Sequence, residues 1–119
     1  MLRVRSLFLA LVLAAATLAG TAGAEPFLSQ YEDLPLAPGL TETLETGVSF
    51  DTPGGRIVDA YAHGAVATAE VLKFYATTLP QLGWTHVSDR QYRREAEVLR
   101  LEPVAKGRHL TIRFAITPE

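Results

Sequence analysis

The stretch Thr68 to Trp84, TAEVLKFYATTLPQLGW, constrains this chain more than any other. Outside the apolar N-terminus it is the only strongly helical segment, so a single helix must cover whatever the other residues build. Val71, Phe74, Tyr75, Thr78, Leu79 and Leu82 recur at helical spacing, and Leu72 widens the stripe. Thr68 is a candidate N-cap, and Glu70 in the first turn complements the helix dipole. Pro80 conflicts with this pattern. It removes a backbone donor and disfavours helical geometry at Leu79, so either the helix stops near Thr78 and a second turn starts at Pro80, or it runs on with a kink. Gly83 suits the left-handed position that closes a helix, and Trp84 would then fold back onto the stripe.

Strand patterns flank this helix. Gly47 to Asp51 alternates apolar and polar, as a half-buried strand does. Thr52-Pro53-Gly54-Gly55 is a turn, because proline presets one φ and glycine accepts the positive φ that follows. Arg56 to His63 is the returning strand, with Val58, Ala60 and Ala62 on one face and Ile57, Asp59, Tyr61 and His63 on the other. The small-residue face admits a closely packed helix. After Trp84 come three short strands, Trp84–Ser88, Gln91–Arg94 and Glu97–Pro103, with a weak turn at Glu95-Ala96 between the last two. A turn at Lys106-Gly107 leads into Arg108–Ile116, where Leu110, Ile112, Phe114 and Ile116 alternate with His109, Thr111, Arg113 and Ala115. The expected fold is α+β: a two-layer sandwich in the order β-β-α-β-β-β, one main helix on an antiparallel-rich sheet of about five strands.

Three regions precede or form this sandwich. Arg3 and Arg5, the apolar run Leu7–Ala19 and the small-residue site Ala22-Gly23-Ala24 predict a signal peptide over 1–24, cleaved after Ala24 and too short to span a bilayer. Residues 25–46 read as an extended arm in which Pro35 and Pro38 hold the chain open. Their PxxP spacing can serve as a polyproline ligand, but Leu34, Leu36 and Leu40 are apolar enough to lie against the domain instead. Residues 47–119 form the single α+β domain. The expected location is the periplasm or the exterior. The chain has no cysteine, which excludes disulfides, thiolate metal sites and a lipidated cysteine. A domain this small has no room for a large internal catalytic cavity.

Charge is segregated along the chain. Glu25 to Leu72 holds eight acids and one base, whereas Lys73 to Glu119 holds eight bases and five acids. Arg93, Arg100, His109 and Arg113 would project from the sheet face opposite the helix and are the candidate contacts for a protein partner or an anionic envelope component. The other reading is self-pairing with Glu32, Asp33, Glu42 or Glu45. Such a face lacks the aromatic platforms of nucleic-acid-binding sheets, so nucleic acid is not an expected partner. A different class of reading places a ligand or enzymatic pocket between helix and sheet, around Tyr61, Tyr75, Trp84 and Tyr92.

Other chemistry is sparse. His63, His86 and His109 stand on three different strands and lack the close spacing of metal-ligand pairs, so no metal and no cofactor are expected. Asp51, Asp59 and Glu70 could act as an acid–base set only if a cleft gathered them. No nucleophile motif and no phosphate loop is present.

Asp33–Leu40, Gly55–Ala60 and Phe74–Trp84 resemble a group of short exported proteins of Gram-negative bacteria that share an LPLxPGL arm, a GRIVxA strand and an FYxxTLPQLGW helix. The resemblance covers most of residues 25–119. It implies export and carries no assigned activity. Where those proteins often have glycine in the turn before the EVLRL strand, this chain has Ala96. Together these features point to a small exported, non-catalytic binding or accessory domain.

Overall fold

A computed structural model describes residues 27–119. The expected signal peptide with its cleavage site, and the first two residues of the expected arm, lie outside the described residues. The sheet is six-stranded and wholly antiparallel, in the order β1-β2-β6-β5-β4-β3, one strand more than the expected count of about five. Its strands are β1 (Thr41–Thr52), β2 (Gly55–Gly64), β3 (Thr85–Ser88), β4 (Gln91–Arg94), β5 (Glu97–Lys106) and β6 (His109–Pro118). All six fall on segments with a strand pattern in the sequence, so the difference is one of count and not an unforeseen strand; Thr85–Ser88 turns at Asp89-Arg90 and pairs with Gln91–Arg94 as a short edge hairpin. β1 begins at Thr41, within the segment read as arm, and a bulge between Thr43 and Val48 divides it.

Helix α1 spans Thr68–Thr78 and crosses one face of this sheet. Its N-cap is Ala67 rather than Thr68, and no side chain caps it. Val71, Tyr75 and Leu79 face inward, with Phe74, Leu72 and Leu82 partly buried beside them. Of the two outcomes open at Pro80, the helix stops: Leu79–Leu82 is a separate 3-10 turn with proline in its first positions. Gly83 closes that turn at φ +94, and the Trp84 N–H donates to the Leu79 carbonyl at 3.1 Å. Trp84 is thereby buried against the stripe.

The sheet supplies Val58, Ala60, Ala62, Leu99, Leu101, Leu110, Ile112, Phe114 and Ile116 to the core. The arm is part of the same layer as the helix. Leu28, Leu34, Leu36 and Leu40 are all at most 6% exposed, so the arm docks on its own domain. Ala37-Pro38-Gly39-Leu40 makes a tight turn in which the Leu40 N–H donates to the Ala37 carbonyl at 3.1 Å and Gly39 takes φ +92. Proline followed by glycine is what a type II turn demands at its two central positions. That turn brings the Gly39 carbonyl against Gly64 at the end of β2. The Tyr75 hydroxyl completes the docking by donating to the Pro35 carbonyl at 2.7 Å and accepting from the Ala37 N–H at 3.1 Å.

The weak turn between β4 and β5 is a two-residue connection, with Arg94 opposite Glu97. The positive φ it requires falls on Glu95 (φ 55), not on Ala96. A non-glycine residue there costs about 1–2 kcal/mol of conformational strain. Glu95→Gly is therefore expected to stabilise the protein by about 0.5–1 kcal/mol, since glycine also raises unfolded-state entropy. A shift of the urea midpoint at unchanged slope checks it.

Candidate functional site

Cross-strand register decides which side chains share the sheet face away from the helix. Phe50 pairs with Ile57 and Val48 with Asp59 on β1–β2. Asp59 faces Ala115 and Tyr61 faces Arg113 on β2–β6, and Ala115 faces Arg100 and Arg113 faces Glu102 on β6–β5. Directly paired residues in an antiparallel ladder point the same way. Since Val58, Ala60, Phe114 and Leu101 face the helix, the bare face carries Val48, Phe50, Ile57, Tyr61, Arg113 and Arg100, with His63 and His109 at one end.

Arg93, Arg100, His109 and Arg113 thus do share a face, but their charge is largely met from within. Arg113 bridges Asp59 and Glu102, at 2.7 Å to each. The Glu102 hydrogen bond and the Asp59 charge push its guanidinium pKa further up. Arg93 contacts Glu119 at 2.6 Å. Among the described residues Arg100 alone of the three arginines has no acidic partner. The acids named for self-pairing are not the ones used: Asp33 pairs instead with Arg94 on the helix side, and Glu42 accepts from Ser29. The reason is distance along the sheet, because Asp59, Glu102 and Glu119 sit on or beside neighbouring strands while the arm lies over the other face.

Tyr61, Tyr75, Trp84 and Tyr92 are not gathered around one cavity. Tyr75, Trp84 and Tyr92 are core residues at 0–2% exposure, and Tyr61 lies half-buried on the opposite face. The Tyr92 hydroxyl and the Trp84 Nε1 are buried without a hydrogen-bond partner among the described residues. Burial, with the charge of Asp89, pushes the Tyr92 phenol pKa up. A cleft of about 420 Å3 lies between the arm and α1 instead, lined by Ala37, Pro38, Val66, Val71 and Phe74 with Glu70 and Lys73 at its polar side.

The three histidines divide two and one. His63 and His109 lie ring to ring at 5.4 Å, whereas His86 packs edge-on against Tyr92 near the far edge of the sheet. The carboxylates are also separated. Asp59 is on the bare face, Asp51 pairs in register with Arg56 on the other, and Glu70 is on α1.

Two features escaped the reading of the sequence. Alternation over Gly47–Asp51 marks a half-buried strand without saying which face is covered, and Val48 and Phe50 are 47% and 53% exposed. The turn fixes this outcome: Thr52 opposite Gly55 forces Phe50 opposite Ile57, and Ile57 lies across the strand from the buried Val58. The second is a cluster around Tyr31. Its hydroxyl donates to Glu97 at 2.6 Å and accepts from Arg94 at 2.7 Å, while Arg56 lies over its ring at 4.6 Å. Burial first, then Glu97, pushes the Tyr31 pKa up. Arg94 also stacks on Trp84 at 4.5 Å and donates to Asp33, so this cluster ties the arm to β4 and β5. No signal in a single sequence marks such a long-range network.

Among the described residues no helix is long and apolar enough to cross a membrane. Comparison with protein-family models, with curated proteins and with solved structures returns no match.

Proposed function

We propose that this chain is a small exported, non-catalytic binding or accessory domain that engages a protein of the cell envelope through the bare sheet face. The observation that carries the reading is the half-exposed pair Val48 and Phe50, set beside Ile57 and Tyr61 on a surface that no second layer covers among the described residues. Antiparallel sheets commonly leave one face to solvent, but that face is then polar, and contiguous apolar side chains mark contact surfaces. Arg100, without an acidic partner among the described residues, supplies a charged contact next to this strip. An anionic envelope component is the weaker form of the proposal, because Arg93 and Arg113 are already neutralised.

The test is recovery of partners from envelope extract on immobilised protein, with three baits. The unaltered chain should retain a partner that Val48→Asp/Phe50→Asp loses, an affinity change of about tenfold or more for a buried aromatic anchor. The Arg93→Ser/Arg100→Ser/Arg113→Ser bait should retain it. Loss only on the arginine bait would favour the anionic component instead. Identical recovery on all three, or none, sinks the proposal.

A second reading is supported by the 420 Å3 cleft between the arm and α1, whose size suits a small apolar ligand. A saturable signal from an apolar fluorescent probe, abolished by Phe74→Ser, would move the assignment there. No such saturation would remove this reading.

A further inference from the structure

We propose that His63 and His109 form a two-imidazole site for a divalent first-row transition ion, of the zinc or copper(II) class, at one end of the bare sheet face. His63 is opposite Thr111 in the β2–β6 ladder, so His109, two residues before Thr111, is its diagonal neighbour on the same face. The ring centroids are 5.4 Å apart and the ring planes 34° apart. Neither imidazole has a hydrogen-bond or ion-pair partner among the described residues, so no protein contact competes for a ring nitrogen. His109 is exposed and His63 half-buried, which leaves the pair open to solvent and to an incoming ion.

The separation is what chelation requires. With a metal–nitrogen bond of about 2.0–2.1 Å, an ion bound to a ring lies about 3.2 Å from the ring centre. Ligand–metal–ligand angles from square to tetrahedral then place two ring centres about 4.5–5.2 Å apart. The observed 5.4 Å is within a few tenths of an ångström of the tetrahedral value, a closure that two surface side chains make by small χ rotations. Neutral imidazole is the commonest protein ligand for such ions, and the affinity series of nitrogen sites peaks at copper(II). No group of three His, Asp or Glu side chains converges among the described residues, so water completes the coordination shell.

The neighbours set the strength. Thr111 and Thr41 face His63 across β2, and Val104 lies beyond Thr111 on β5. Lys106 is opposite His109, and Arg108 precedes it in the chain. Their charges oppose a bound cation, so the site is one of modest affinity that exchanges its ion. The pair is also separate from the Val48–Phe50 strip, so this inference does not rest on the proposed function.

The test is calorimetric titration of the tag-free protein with Zn2+ and, separately, Cu2+ in a non-coordinating buffer. One ion per chain is expected. His63→Ala and His109→Ala should each weaken binding about tenfold or more, as loss of one of two ligands does. His86→Ala should leave it unchanged. Glutamine variants at 63 and 109 repeat the measurement without a change in side-chain bulk, and circular dichroism confirms that each variant is folded. Thr111→His, which adds a third imidazole between the two on the same face, should strengthen binding. Absence of saturable binding, equal weakening by all three alanine variants, or no weakening at 63 and 109 overturns the proposal.

Discussion

Tyr75→Phe is expected to destabilise the protein by about 2–4 kcal/mol, although it removes a single oxygen from a core residue. The Tyr75 hydroxyl donates to the Pro35 carbonyl at 2.7 Å and accepts from the Ala37 N–H at 3.1 Å. Both backbone groups are buried with the arm, and each would be left unsatisfied in the variant at a cost of about 1–3 kcal/mol. The aromatic contacts of the ring, edge-on to Phe114 at 5.6 Å and to Phe74 at 5.0 Å, survive the change. The loss is therefore polar, and it falls on the arm. Tyr92→Phe is the internal control, because it is the same substitution in the same core. The Tyr92 hydroxyl has no partner, so its removal relieves a buried polar atom, and the change should lie between neutral and about 1 kcal/mol of stabilisation. Urea unfolding of the two variants side by side checks the pair. Equal losses would mean that the arm is not held through Tyr75.

Gly64→Ala is expected to cost about 2–3 kcal/mol, at the upper end of overpacking effects. A β-carbon at Gly64 would fall on the Gly39 carbonyl oxygen, and its carbonyl carbon stands only 3.0 Å away. Both obstructing atoms are backbone in the tight turn of the arm, so no side chain can swing aside. The β2 end or the turn must move, and the turn is pinned by Gly39 at φ +92. Gly54→Ala, in the β1–β2 turn, meets only the Thr52 hydroxyl oxygen at 4.0 Å and should change stability by no more than about 0.5 kcal/mol. Thermal or denaturant unfolding of both variants decides the matter. A mild effect at Gly64 would show that the arm yields instead of clashing.

The parts of the fold legible in the sequence were those controlled by local chemistry. Helical spacing from Val71 to Leu79, a break at Pro80 as either a stop or a kink, and the left-handed Gly83 all depend on residues within a turn or two of each other. The alternation in β6 and the small-residue face of β2 were read for the same reason. What lay beyond reach were pairings between distant segments. Strand order depended on which distant segments paired, and Thr68 lost the cap to Ala67 by a shift of one position. The candidate face was half legible. The arginines were placed on the correct side, but their partners Asp59, Glu102 and Glu119 follow from the strand order. Val48 and Phe50 show the sharper lesson. Alternation reveals that a strand has two unlike faces, and only the register through Thr52 and Gly55 says which of them is bare.

The pairing of β2 with β6 sets the order in which this chain can become a protein. Val58 meets Ile116 and Gly64 meets Leu110, so the first hairpin is joined to the rest of the sheet only by the last strand. Contacts between residues so far apart in sequence form late, after the intervening chain has lost its freedom. Until β6 is available, β1 and β2 have no third strand to lean on, and an isolated hairpin is marginal in water. A growing chain of this design stays open from end to end and then closes at once, when β6 slides between its two halves.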